Sequence, residues 1–289
     1  PLLRSLAECV EAIDEIVDFP GYPGLAEQFF DARRTLAFFG RMQARRFDLA
    51  VQLQGSGVYT NPFVLMLGAR RSAGFVRAGD SAGRLDAALP LPEQGHEIDR
   101  MAAMAQFLGA PVPSRRPRLA LRGVHTHAAA ALLGTGARPL LGLHAAARDA
   151  ARCWPPACLV GVAQALRRES GVLPVVLGER GDAHAAALAQ QLAPDCIDLT
   201  GRTPLPVLAA VIRRLALLLT TDSGPAHLAY AVDTPTVVVF SREAERYGPP
   251  GPPHVIAGDD AQVTPERVLQ LARECLLHAA PAVLEAATR

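Results

Sequence analysis

Residues 215–240, LALLLTTDSGPAHLAYAVDTPTVVVF, decide how the rest of the chain is read. The stretch opens on Leu215-Ala216-Leu217-Leu218-Leu219, an apolar run long enough for one buried strand. It closes on Thr236-Val237-Val238-Val239-Phe240, β-branched and aromatic, which suits a strand better still. Between them lie a small-residue turn, Asp222-Ser223-Gly224-Pro225, and a helix-like stretch over 226–231. Two apolar strands joined through a helix make a βαβ unit with a right-handed crossover. Ser223 is expected to cap the helix, Gly224 to let the backbone approach a ligand, and Pro225 to take a first-turn position that needs no N–H. The stretch therefore predicts a helix N-terminus with free N–H groups at the carboxyl edge of a parallel sheet. Phosphate binds in such places.

The 289 residues suffice for two ordinary domains, and 50% hydrophobic with 20% charged residues is enough for a packed core without disulfides or metal. A formal net charge of +1 argues against nucleic acid as a partner. All 29 basic residues are arginine. Any cationic role therefore falls to a side chain that is always charged and can grip phosphate bidentately. Five cysteines without CxxC spacing read as reduced thiols of a cytoplasmic protein. No stretch reaches the apolar length of a membrane span.

Along the chain, residues 3–17 read as a short helix with an apolar tail, and two Pro-Gly-type turns follow at 19–24. A helix over roughly 25–46 carries Arg33, Arg34, Arg41, Arg45 and Arg46. Residues 47–53 read as a strand ending in Gln54-Gly55-Ser56-Gly57, a glycine-bearing loop where open α/β sheets bind ligands. A helix at 62–67 and a strand at 72–76 come next, then a loop over 77–95 and a helix over 98–108. The proline- and arginine-rich stretch 111–118 reads as a linker. Beyond it 119–136 is ambiguous. A second βα series then runs through a strand at 139–144, a helix at 155–169, a strand at 172–177, a helix at 183–192, a short strand at 197–199 and a helix at 206–214. Residues 241–253 read as a loop, and Thr264-Pro265 start a last helix. The expected division is 1–118, 119–263 and a helical segment 264–289, with two doubly wound domains facing a cleft.

The block Asp222 to His227 carries the most specific local signal. As a bare pattern, Asp-Ser-Gly-Pro also occurs around the nucleophile of chymotrypsin-like proteases. A setting between parallel strands, without a G-x-S-x-G elbow, argues against that chemistry. His227 lies one turn into the helix, within reach of the same pocket. The competing reading is that Asp222 caps the turn and His227 packs against it. His144 precedes a loop with Arg148, Arg152 and Trp154, where guanidinium groups could meet a diphosphate or simply stay solvated. Glu179 and Asp182 follow the next strand, where an acid can accept ribose hydroxyls. The segment 201–205, with Thr203, lies near the same edge. His125 and His127 have no third partner nearby in sequence, and no metal is expected.

Taken together these motifs resemble glycosyltransferase family 9, the ADP-heptose:lipopolysaccharide heptosyltransferases. The resemblance rests on 144–156, 199–205, 221–228, 233–237 and 247–249 in the second half. In the first half it rests on 47–56, 68–71 and 74–75. It implies a GT-B fold with the nucleotide-sugar held mainly by the second domain and the acceptor by the first, near Gln54, Gly55 and Ser56. The implied reaction is metal-independent, inverting transfer of a sugar, typically heptose from ADP-heptose, with no cofactor. The acceptor would be a lipopolysaccharide inner core or another lipid-linked glycan. Asp222, Ser223, Gly224 and His227 would then hold the diphosphate and sugar, with His144 alongside. Arg152 stands where the family has a Lys that neutralises the leaving phosphate. Asp182 or Glu179 would face the nucleoside, and Thr203 the base. Helix N–H groups and a guanidinium answer the need to stabilise charge developing on phosphate.

In the family, the proposed base is an Asp in a Gly-rich loop after the first strand. No carboxylate here matches it by position, and the chain reads as beginning inside a structural unit, with the first domain incomplete. A catalytically impaired, nucleotide-sugar-binding homologue is therefore one alternative, and another GT-B enzyme such as a nucleotide-sugar epimerase is a second. An acceptor lipid would put the protein at the inner membrane face. Arginines such as Arg45, Arg46, Arg70, Arg71, Arg115, Arg116 and Arg118 would there meet anionic headgroups, unless they are only solvated surface.

Overall fold

The computed structural model describes residues 3–26, 28–147, 153–239, 243–258 and 263–286, with side chains as far as residue 278. The chain opens with α1 (Arg4–Ala7), α2 (Ala32–Ala44), β1 (Leu49–Gln52), α3 (Thr60–Leu65), β2 (Arg71–Val76), β3 (Ala87–Pro90) and α4 (Glu97–Phe107). It continues through α5 (Gly123–Leu133), β4 (Leu140–His144), α6 (Pro156–Ser170), β5 (Leu173–Val176), α7 (Ala183–Leu192), β6 (Ile197–Asp198) and α8 (Leu205–Arg213). The last elements are β7 (Leu217–Thr221), α9 (Gly224–Ala231), β8 (Thr236–Val239), α10 (Ala244–Tyr247), β9 (His254–Gly258) and α11 (Pro265–Ala286).

These elements form two compact units. One is Val17–Arg115, and the other joins the chain up to Ile16 to everything from Arg116 onward. The boundary falls inside the proline- and arginine-rich stretch. Residues 3–16 thus belong with the second unit, although the sequence groups them with the first. The Ala120 N–H donates to the Cys9 carbonyl at 2.7 Å, Arg122 pairs with Glu8 at 3.6 Å, and Leu6 packs on the core beneath α5 and α8.

In the first unit β1, β2 and β3 form a parallel sheet in that order. Asp31 caps α2, its carboxylate accepting from the Arg34 N–H at 2.7 Å. The helix then buries Thr35, Phe38, Phe39 and Met42, a spacing that keeps one face inward. Phe63, Phe47 and Tyr22 complete that small core.

The second unit is a six-stranded, all-parallel sheet in the order β6-β5-β4-β7-β8-β9. Counted from its own first strand, that order is 3-2-1-4-5-6, the doubly wound arrangement. β7 is buried along its whole length, which is why it reads as an uninterrupted apolar run. Alternation along the central strands feeds two cores. Leu141, Leu143, Leu217 and Leu219 pack with α6, α7 and α11, whereas Val175, Leu177 and Leu218 pack with α5, α8 and α9.

Some elements differ from the sequence reading. β3 lies inside the expected loop 77–95, and β9 follows the expected loop 241–253 in a stretch to which the sequence pattern assigns no element. The first helix shortens to four residues and α2 starts only at Ala32. Residues 119–136 resolve into α5, ended by Gly134 at φ 72.

Candidate functional site

The sheet order of the second unit reverses between β4 and β7. Open α/β sheets bind ligands outside the carboxyl ends of strands at such a point. The register sets His144, the last residue of β4, opposite Thr220 of β7. His144 Nδ1 is 3.3 Å from the Thr220 hydroxyl and 3.3 Å from that of Ser223, and the two hydroxyl oxygens are 3.4 Å apart. Both hydroxyls donate to the Thr221 carbonyl, at 3.2 and 3.0 Å. With each hydroxyl proton committed there, Nδ1 donates into the pair and Nε2 is left as an acceptor. Burial pushes the His144 pKa down to about 4, against a smaller upward pull from Asp182. The ring is therefore neutral at pH 7 and adds no positive charge.

Ser223 takes the N-cap position of α9 in extended conformation, but its side chain does not cap the helix. The hydroxyl expected to fill that role turns instead toward His144 and Thr220, so Ser223 does not itself compete for the leading N–H groups of α9. A methyl group built on Gly224 would touch no protein atom within 4 Å. The fold itself does not demand glycine there, and the space over the helix start is open. Asp222 is buried, its N–H donating to the Val239 carbonyl at 3.1 Å. His227 is exposed one turn into α9, its ring edge-to-face with Tyr230 at 5.5 Å.

The neighbouring strand ends complete the crevice. Thr221 Oγ1 donates to the Ala146 carbonyl at 3.0 Å, tying the end of β7 to the loop after β4. The Trp154 N–H donates to the Ala145 carbonyl at 3.3 Å and closes the far end of that loop. Arg148 and Arg152 lie outside the described residues. After β5, Asp182 caps α7: one carboxylate oxygen accepts from the N–H groups of His184 and Ala185, at 2.9 and 3.2 Å. Glu179, by contrast, is exposed. The Gly201 N–H donates to the Gly178 carbonyl at 2.9 Å, so the loop after β6, with half-buried Thr203, lies against the loop after β5. His144, Glu179, Asp182, Thr203, Asp222, Ser223, Gly224 and His227 thus gather on one edge of one sheet. Thr220 and Thr221 belong with them. Thr221 stands at the head of the block 221–228, whereas Thr220, ending an apolar strand, carries no sequence signal beyond that of an ordinary β-former.

In the first unit, the loop after β1 is braced by a polar knot at the strand's end. The buried Gln52 accepts from the Phe75 N–H at 2.9 Å and donates to Thr60 Oγ1 at 2.7 Å and to the Gln54 carbonyl. Ser56 lines a cavity of about 530 Å³ together with Asn61, Asp80 and Arg84. Gln54 and Gly55 are not among its lining residues, and Gly55, at φ 60, shapes the turn. Asn61 donates to the Phe75 carbonyl at 2.9 Å, while its buried Oδ1 has no partner among the described residues. The signal for this knot was a polar Gln52 inside an otherwise apolar strand. The two histidines of α5 are engaged locally: His125 Nδ1 accepts from the Arg122 N–H at 3.3 Å, and His127 Nδ1 lies 2.7 Å from the Gly123 carbonyl.

Residues 35–276 match the family described as glycosyltransferase family 9 (heptosyltransferase). The lipopolysaccharide heptosyltransferase 2 of Salmonella typhimurium (strain LT2) is 30% identical over 159 residues, which cover 46% of this chain and 45% of that protein. The lipopolysaccharide heptosyltransferase 3 of Escherichia coli is 33% identical over 99 residues, 32% of this chain and 28% of that protein. The chain therefore spans less than half the length of these curated relatives. Among solved structures, the family 9 glycosyl transferase from Veillonella parvula DSM 2008 superposes with a TM-score of 0.74 at 19% identity, over 86% of this chain and 79% of that one. The E. coli ADP-heptose lps heptosyltransferase II gives a TM-score of 0.68 at 22% identity, over 84% and 81%. These likenesses show the fold, which is of the GT-B class. The match over most of its length shows that the chain belongs to glycosyltransferase family 9, the heptosyltransferases.

Proposed function

We propose that the crevice at the carboxyl ends of β4 and β7 holds a nucleotide-diphospho-sugar, ADP-heptose being the form the family favours. A lipopolysaccharide inner-core or related lipid-linked glycan would be the sugar acceptor. The observation that carries this reading is the start of α9. Its N-cap residue, Ser223, leaves the helix N–H groups uncapped by its own hydroxyl, which bonds to the β4–β7 pair instead, and a diphosphate is the ligand such a helix start suits.

In this reading Gly224 lets a phosphate oxygen approach the helix axis, and Ser223 and His227 bond to the diphosphate and sugar. His144, being neutral, orients Ser223. Of the two acids after β5, Glu179 faces the ribose, since Asp182 is engaged in capping α7. Thr203 lies toward the base, and Arg152 neutralises the departing phosphate. The acceptor oxygen forms its bond to the anomeric carbon from the face opposite the leaving group, which inverts the configuration there. As the carbon–phosphate-oxygen bond breaks, its electron pair goes to the nucleoside diphosphate and the hydroxyl proton to a general base. Helix N–H groups and a guanidinium stabilise the developing charge without a metal ion. The cavity beside Ser56 and Asn61 is the acceptor's side, and the working place is the inner face of the cytoplasmic membrane.

Titration calorimetry with ADP, UDP and GDP, in EDTA, tests the donor reading. ADP is expected to bind tightest. Ser223→Ala and His227→Ala should each weaken it by about tenfold or more, the loss of one hydrogen bond to a charged group. Binding that needs added metal, or variants that bind ADP as the parent does, would sink the assignment.

A further inference from the structure

A cavity of about 1000 Å³ opens at the opposite edge of the same sheet, beneath the amino ends of β4, β7, β8 and β9. Its volume is at the upper end of what small-molecule sites occupy, roughly 300–1,000 Å³. Donor phosphates belong to the carboxyl edge, so this cavity is separate from the crevice described above. What is inferred for it stands whether or not that crevice binds a nucleotide-sugar.

The walls are chiefly aliphatic, from Leu133, Leu140, Leu215, Val255 and Leu271. Arg213 and Arg214, where α8 ends, line the cavity and are exposed. Neither guanidinium makes a hydrogen bond or ion pair among the described residues. The third lining arginine is already engaged, Arg138 donating to the Gly171 and Val172 carbonyls at 3.0 and 3.1 Å. The two lining acids have partners as well. Asp233 faces Arg116 at 3.5 Å, and Glu274 accepts from the Gln270 amide at 3.1 Å. With three arginines among the lining residues against two acids, one of which is paired with Arg116, the balance of charge at this cavity is positive, and it sits beside an apolar floor.

We propose that the cavity takes a phosphorylated amphiphile, its alkyl chain along the leucines and its phosphate between Arg213 and Arg214. Guanidinium groups match phosphate bidentately, and a chain removed from water against leucine gains free energy in proportion to the apolar area covered. A simple anion would use only the arginines, and a neutral lipid only the leucines. The combination selects a ligand with both parts.

Cys275 lines the same cavity and supplies the readout. The experiment measures iodoacetamide alkylation of Cys275 in the full chain by mass spectrometry, with Cys196, which does not line the cavity, as internal control. The additions are dodecyl phosphate below its micellar concentration, dodecyl maltoside, or inorganic phosphate. Dodecyl phosphate at ten times its dissociation constant should slow Cys275 by about tenfold and leave Cys196 unchanged. The protection should disappear in the Arg213→Ala, Arg214→Ala double variant, whose altered side chains are exposed. Equal protection by the maltoside, protection by inorganic phosphate alone, no protection at all, or protection undiminished in the double variant would each overturn the proposal.

Discussion

Gly224 separates what the fold requires from what a ligand would require. Because a methyl group there meets no protein atom, Gly224→Ala should leave stability unchanged or raise it by up to about 1 kcal/mol, the helix-propensity difference. The same change should cost ADP about tenfold or more in affinity if the diphosphate approaches the helix start. Denaturant titration and calorimetry on one variant read both effects, and a destabilised variant with intact binding would contradict the reading. His144 makes a pH statement. Its pKa falls from an ordinary 6.5 to about 4 on folding, so between those values the unfolded chain binds the extra proton. Stability from this group is therefore complete above pH 6.5 and is lost as pH falls toward 4, by roughly 3 kcal/mol in all. His144→Asn, which keeps a donor near Nδ1, should flatten the stability curve over that window relative to the parent. Parallel curves would show that the imidazole does not set it.

Among the elements, α7 and the loop before it divide two acids between two tasks that the sequence could not tell apart. Asp182 caps the helix, and Asp182→Ala should cost about 1 kcal/mol of stability with little effect on ADP affinity. Glu179→Ala should do the reverse, weakening ADP several-fold at unchanged stability. Chemical denaturation and calorimetry on the pair would expose a swapped assignment. The central strands were legible because parallel strands covered on both faces appear as unbroken apolar runs, as in Leu217-Leu218-Leu219. β3 was not, since Ala87-Ala88-Leu89-Pro90 has neither β-branched residues nor alternation and owes its conformation to pairing with β2. The position of Ser223 at the helix start was legible, but the direction of its hydroxyl was not. That direction depends on His144, 79 residues earlier in the chain. Gln52 and Thr60 were likewise invisible as a pair, because only the folded turn brings them together.

At the scale of the molecule, the two units give separate handles. A ligand that binds only the native form of one unit stabilises that unit by mass action. ADP should therefore raise the thermal transition of the unit built from Arg116 onward and leave that of Val17–Arg115 in place. Removing residues 3–16 should lower the transition of the second unit, built from Arg116 onward, and spare that of Val17–Arg115, because Cys9, Glu8 and Leu6 are bonded or packed against 116–289. Scanning calorimetry of parent and truncated chains distinguishes this from a division at residue 118, in which the second unit would not notice the loss.

The all-parallel order of the six-stranded sheet also bears on time. Each strand pair closes through a crossover, and β4 meets β7 only after some 76 residues of intervening chain have found their places. Such long-range closures slow folding, and the His144–Thr220–Ser223 cluster cannot exist before this one is made. A nucleotide held at that junction would recognise only a chain whose sheet is already assembled. It would act as a brake on unfolding and give no help to folding, lengthening the life of the finished molecule without hastening its arrival.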